Sequence, residues 1–437
     1  MRITKCLRGL SVAGTTVITL CLAWSCTSCS PAGSRVSSWR GVASASPGEQ
    51  LWASTLAAGS ATAEAVSPDG TTLFVTGEVV RNNFETAAYR TATGARLWAT
   101  GYRPADYSVP RAITASPDGA TVYVTGGSAT VAYDAGTGKQ LWASRYSGEL
   151  WALAVSPDSR TLYVTGSAQG LGSHPGLVTI AYAAPTGRRR WLRLYATAKY
   201  GIGESIAVSL DGKTVYVTGS DSSALTVAYQ AAGNLKWAAR YNNPYAGGAA
   251  ASQIVTGAGG AAVYVVGRAA NKHGHYDTAT FAYSAATGKQ LWLDRYNAHG
   301  GGGQIAVTPD GRSVIVAGLR NNGRTGGYLL ASYNASTGAT RWTRQAPASR
   351  YAPSIPAGLV IDSHGDTAFV ASTKFLGGYD LAAWSLARGT VLWTSRYTQA
   401  KVYSPVAITL SGDGTRLFVT GSAGYRRNVM TTVAYQS

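Results

Sequence analysis

The chain has 437 residues, of which 45% are hydrophobic and 13% charged, and its formal net charge is +18 at pH 7. A normal apolar content excludes wholesale disorder. No apolar run of spanning length follows Trp24, which excludes a bundle of transmembrane helices. With 53 Gly, 26 Tyr and only 2 Met, the composition points to an all-β chain with many turns.

In chain order, the first feature is a basic start, Arg2, Lys5 and Arg8, followed by an apolar stretch from Gly9 to Trp24. That stretch is too short and too poorly flanked to span a membrane, so residues 1–29 are expected to be an export signal. Ser25-Cys26-Thr27-Ser28-Cys29 then resembles a bacterial lipoprotein cleavage site, with Ala23 where such sites carry Leu. Acylation at Cys26 or Cys29 is one expectation, and plain secretion with cleavage after Ala43-Ser44-Ala45 is the other. Residues 30–46 read as a flexible polar tether. All four cysteines (Cys6, Cys21, Cys26 and Cys29) precede it, so the main body has no disulfide, thiolate metal site or cysteine nucleophile.

The remainder, 47–437, is a repeat of 44 to 55 residues. One half reads Ala-Val-Ser-Pro-Asp-x-x-Thr-Leu-Tyr-Val-Thr-Gly, as at Ala154 to Gly166; the other reads Val-Ala-Tyr-Asp-Ala-Gly-Thr-Gly-Lys-Gln-Leu-Trp, as at Val131 to Trp142. The second half ends on Trp52, Trp98, Trp142, Trp191, Trp237, Trp292, Trp342 and Trp393. Each repeat parses into four strands: a short inner strand, a Ser-Pro-Asp-Gly turn, a β-branched strand, a variable loop, a third strand, a Thr-Gly turn and the Trp strand. A period of this length signals propeller blades, and the expected fold is an eight-bladed β-propeller of four-stranded blades. The chain stops on a third strand, Val433 to Ser437, and its ordered part begins on a fourth, Gly48 to Trp52. The N-terminal strand is therefore expected to join the C-terminal blade and close the ring.

The pattern Ala132-x-Asp134-x-x-x-Gly138-x-x-x-Trp142 resembles the tryptophan-docking motif of quinoprotein-alcohol-dehydrogenase-like propellers, the PQQ-like repeat superfamily. It recurs at Ala88, Gly94 and Trp98, at Ala181, Gly187 and Trp191, and at Ala282, Gly288 and Trp292; Ser332 replaces Ala in the next copy. The resemblance implies that the eight Trp residues dock neighbouring blades. It does not settle activity, because the same scaffold serves quinone enzymes and non-enzymatic lipoproteins that help assemble envelope complexes. The Asp residues at 69, 118, 158, 211, 310 and 413 read as turn residues.

Arg111, Trp151, Glu204, Gln253 and Gln304 stand out where the channel-side strands otherwise begin with Ala, Ser, Gly or Pro. Arg111 could meet a carboxylate, Trp151 could stack, and Glu204 could act as base or ligand. No Asp cluster approaches the six to eight oxygens calcium takes, and the vicinal cysteines of quinone enzymes are missing, so no cofactor is expected; pyrroloquinoline quinone with calcium is the alternative. His273-x-His275-x-Asp277, with His299 in the following connector, is a candidate metal set; a solvated polar loop is the plainer reading. The loop face also carries Tyr107, Tyr200, Tyr245, Tyr276, Tyr351, Tyr403 and Tyr425 beside scattered Arg and Lys.

Basic residues concentrate in the Thr-Gly turns and Trp strands, for example Arg96, Lys139, Arg188, Arg189, Arg190 and Lys236, against the acids Glu49, Asp134 and Asp294. That rim could meet anionic lipid or an acidic cell-wall polymer, and no nucleic-acid motif is present. The leading expectation is an exported binding or scaffold propeller of the cell envelope, secreted or lipid-anchored, presenting its loop face to a protein or glycan partner. The alternative is an extracytoplasmic quinone-dependent oxidoreductase or metal-assisted enzyme.

Overall fold

The computed structural model describes residues 6–12, 15–21, 45–79, 83–104, 108–168, 176–197, 201–296, 300–321, 326–346, 355–373, 378–398, 402–423 and 429–437. The elements among them are antiparallel strands. A typical repeat comprises Ile202–Val208, Thr214–Ser220, Ala224–Gln230 and Leu235–Tyr241, hydrogen-bonded in chain order as one four-stranded sheet. Its first turn is set by side chains: the Ser209 hydroxyl donates to Asp211 (2.6 Å), and Asp211 accepts from the Lys213 N–H (3.0 Å). Those two bonds hold the Asp211 carboxyl below its ordinary range. The same Ser-Asp arrangement recurs at Asp69, Asp118, Asp158 and Asp413, with Thr308 in place of Ser at Asp310. These aspartates are engaged in shaping turns.

The second and third strands are buried on both faces, because a neighbouring sheet covers each side. The core therefore lies between repeats. One cluster joins Ala152, Tyr163 and Trp191 of one repeat to Ile206, Val217 and Val227 of the next. The innermost strands touch in succession, and the last, Val402–Leu410, touches Gln50–Val66. The strands thus surround a central channel.

The expectation of eight separate four-stranded blades is corrected by the hydrogen bonding, which groups the described strands into seven sheets. Four of these are four-stranded; the others have six, seven and two strands. The merging has a local cause. Gln140–Val155 and Gln50–Val66 run unbroken from the outer edge of one repeat to the inner edge of the next, so each belongs to two ladders. The connector between successive repeats is there continuous strand. The two-stranded sheet, Cys6–Val12 with Thr15–Cys21, lies within the segment expected to be an export signal and touches the inner strands of the repeats.

Each tryptophan of the eight Trp strands lies against the glycine turn of the following repeat. A Cβ on Gly138, whose φ is 71°, would fall 2.6 Å from the Trp98 ring, so only glycine lets the indole approach. Beside it the Trp98 indole N–H donates to the Ala135 carbonyl at 2.9 Å. Trp52, Trp142, Trp191, Trp237, Trp292 and Trp342 make the equivalent bond to Thr91, Ala184, Ala231, Ala285, Ala335 and Leu386. Trp393 packs on Gly48, which returns the series to the start of the ring.

Closure joins the two ends of the chain. Trp52 pairs with Ala434 and Gln50 with Tyr435, in the register that Trp142 keeps with Ala132 and Gln140 with Tyr133. The split turn is rebuilt by Gly48 N–H on Gln436 O (2.8 Å) and Gln436 N–H on Glu49 O (2.9 Å). Removing a buried Trp costs about 3–5 kcal/mol. Deletion of residues 47–56 should therefore lower the melting temperature by at least about 5 °C. A truncated protein that melts with the parent would show that the strand does not hold the ring closed.

Candidate functional site at the channel mouth

Inner strands enter from the loop face and run down to the Ser-Pro-Asp-Gly turns. Arg111, Trp151 and Glu204 occupy one equivalent position on three successive inner strands, each five residues before the turn serine or its equivalent. The Arg111 guanidinium sits 4.2 Å from the Trp151 ring centroid and is exposed. This stacking fixes a cation whose donors remain available. Glu204 accepts from the Ser220 hydroxyl at 3.3 Å. Burial raises its carboxyl above the ordinary range, against the opposing effects of Ser220 and the nearby Arg268 cation.

Sequence reasoning missed Arg268 as part of this group. Its guanidinium stacks 4.9 Å from the Tyr276 ring, and the Tyr276 hydroxyl donates to Gly247 O at 3.2 Å. Arg111–Trp151, Glu204 and Arg268–Tyr276 together form an arc over four successive repeats on one side of the mouth. Two stacked cations flank one half-buried carboxyl. The signal lay in the pairing of Arg268 with a tyrosine across the variable loop, which only the strand register between Ala262–Ala270 and Tyr276–Ser284 brings together.

Gln253 and Gln304 lie one position further down the channel wall. The Gln253 carbonyl accepts from the Ile305 N–H at 2.9 Å, tying its strand to the next, as Ser205 does with Ile254 at 3.3 Å. The Gln304 side-chain oxygen is buried without a hydrogen-bond partner among the described residues.

The histidine loop is organised by Asn271. Its side-chain oxygen accepts from the backbone N–H of His273 (3.0 Å) and His275 (3.1 Å), and its amide donates to Asp277 (2.8 Å). The other Asp277 oxygen takes Arg295 at 3.0 Å, and Arg295 also donates to Asn243 Oδ1 and Ala270 O. The imidazoles of His273 and His275 belong to exposed residues. Among the described residues no three His, Cys, Asp or Glu groups converge as a metal site. His299 lies outside the described residues, as do Cys26, Cys29, Tyr107, Tyr200, Tyr351 and Tyr425.

A calcium-held quinone asks for a cluster of oxygen ligands. Glu204, bonded to Ser220, is the carboxylate of the arc, and this donor set does not fit the group; no chemistry is derived through it. On the rim, several cations bond inward: Arg193 donates to Gly233 O, Arg341 to Arg312 O, and Arg240 bridges Asp221. Rim arginines thus knit the Trp strands to neighbouring turns.

The fold and the tryptophan docking define a PQQ-like repeat β-propeller. The family described as "Outer membrane protein assembly factor BamB" matches residues 82–280, 174–314 and 277–429, and the chain belongs to it. Among solved structures, Sqt1 from Saccharomyces cerevisiae superposes with a TM-score of 0.65 at 10% identity, covering 90% of this chain and 100% of that one. The quinohemoprotein alcohol dehydrogenase of Comamonas testosteroni gives 0.59 at 15% identity, covering 88% and 76%. BamB from Moraxella catarrhalis gives 0.53 at 16% identity, covering 88% and 97%. Such likenesses are of fold. No curated protein matches the chain.

The Asp277–Arg295 pair anchors the loop beside Tyr276. Asp277→Asn leaves a largely buried guanidinium without its countercharge, and is expected to cost about 3 kcal/mol in urea unfolding. A loss below about 1 kcal/mol, the range of exposed pairs, would mean that the pair is not part of the frame.

Proposed function

We propose that this chain is an exported binding or scaffold propeller of the cell envelope, using the channel-mouth arc to hold an acidic segment of a protein partner. The observation that carries this reading is the stacking of two exposed guanidinium groups, Arg111 on Trp151 and Arg268 on Tyr276, around one rim of the channel. Arginines fixed on aromatic rings lose little freedom on binding and offer planar donors to carboxylates. Arg, Trp and Tyr are also the residues that dominate protein interfaces. Membership of the family described as an outer membrane protein assembly factor supports a scaffold. The basic and apolar start of the chain, Arg2 to Trp24, supports export.

The reading is tested by photo-crosslinking the tagged protein in cells and measuring the captured partner's affinity. Arg111→Ala with Arg268→Ala should weaken that affinity by at least about 30-fold, the loss of hot-spot contacts, while leaving the melting temperature unchanged. Undiminished affinity in the double variant would remove the arc from the interface.

A further inference from the structure

One buried acid belongs to neither the arc nor the turns. Glu64 sits in the inner half of Gln50–Val66, opposite Val75, and is fully buried. In each of the other repeats the residue at this register is Ile or Leu, as in Ile206 opposite Val217 and Ile408 opposite Val419. A carboxyl therefore replaces a core aliphatic side chain once around the ring, at the seam between the first and last repeats.

Its contacts all cross that seam. One oxygen takes the Thr409 hydroxyl at 3.2 Å and the other the Thr420 hydroxyl at 2.5 Å; Thr420 in turn bonds Thr432 at 2.8 Å. Thr409, Thr420 and Thr432 belong to three strands of the last repeat. Among the described side chains, the titratable group that interacts with it is the Tyr379 phenol, itself bonded to Tyr435 at 2.7 Å and stacked on Tyr397. The inner strand on the other side, Ala112–Ala115, brings no titratable group. No basic side chain pairs with Glu64 among the described side chains, and its burial is offset by hydroxyl and N–H donors of Thr420 and Thr409. Burial raises its carboxyl from 4.5 to about 8, with the Thr420 and Thr409 hydrogen bonds pulling the other way.

We infer that Glu64 makes the ring seam proton-dependent: its neutral form closes the first repeat on the last, and its ionisation loosens that closure. The sign follows from linkage. Below pH 4.5 both folded and unfolded chains carry the proton. Between 4.5 and about 8 the folded state keeps a proton that the unfolded chain has lost, so stability falls as pH rises. Above about 8 both are ionised and the decline ends.

The test compares melting temperatures of the full chain, Glu64→Gln and Glu64→Ile between pH 5 and 9. The parent should lose stability progressively up to about pH 8 relative to both variants, which lack the titrating group. Parallel pH profiles for parent and variants would overturn the proposal. Should neither variant fold, hydrogen exchange of the parent decides, with amide rates corrected for intrinsic base catalysis. Protection in 50–66 and 402–436 should fall between pH 6 and 8.5 while that in 202–241 holds; a uniform change, or none, would also overturn it.

Discussion

The structure depends on the indole-on-glycine contact between successive repeats. No repeat covers its own docking tryptophan: the ring from one repeat covers the turn of the next. A repeat is consequently unfinished without its neighbour. The hydrophobic clusters lie between repeats for the same reason, the seam included, where Leu73, Val75 and Tyr89 of the first repeat pack with Phe418, Met430 and Ala434 of the last. Closure by Gln50–Val66 gives the final repeat its Trp strand and gives Trp393 its glycine, Gly48.

A frame held this way leaves the channel mouth free to vary. Turn aspartates are engaged by their own serines or threonine, and rim arginines by carbonyls and by Asp221, Asp277 and Asp380. In the arc, the Arg111 and Arg268 cations are braced by aromatic rings and form no salt bridge among the described residues. Rigid support with exposed donors suits recognition of a carboxylate-bearing surface. The lone Glu204 carboxyl suits neither a calcium cage nor a metal-activated water.

Much of the frame was legible because its chemistry is local and repeated. Gly138 and Trp142 keep their spacing in copy after copy, and the unmatched ends at Trp52 and Tyr435 announced closure. The sheet count was not legible, since whether the chain between Trp142 and Leu150 leaves the ladder depends on backbone pairing, and Gly148, a residue typical of turns, stands inside the continuous strand. At the site, the inner-strand position of Arg111, Trp151 and Glu204 could be counted from the turn serines. Alternating His273, His275 and Asp277 resembled ligands, yet Asn271 and a distant Arg295 organise that loop. Glu64 became conspicuous only when the repeats were aligned by register, which isolates a carboxyl among aliphatic residues.

The central claim, that indole docking makes all repeats one unit, is tested most directly by equilibrium urea unfolding followed together by tryptophan fluorescence and far-ultraviolet circular dichroism. Interlocked repeats should give a single transition with coincident curves. Separated transitions, with fluorescence changing while strand signal persists, would mean that repeats melt independently and that docking is not what holds the ring together.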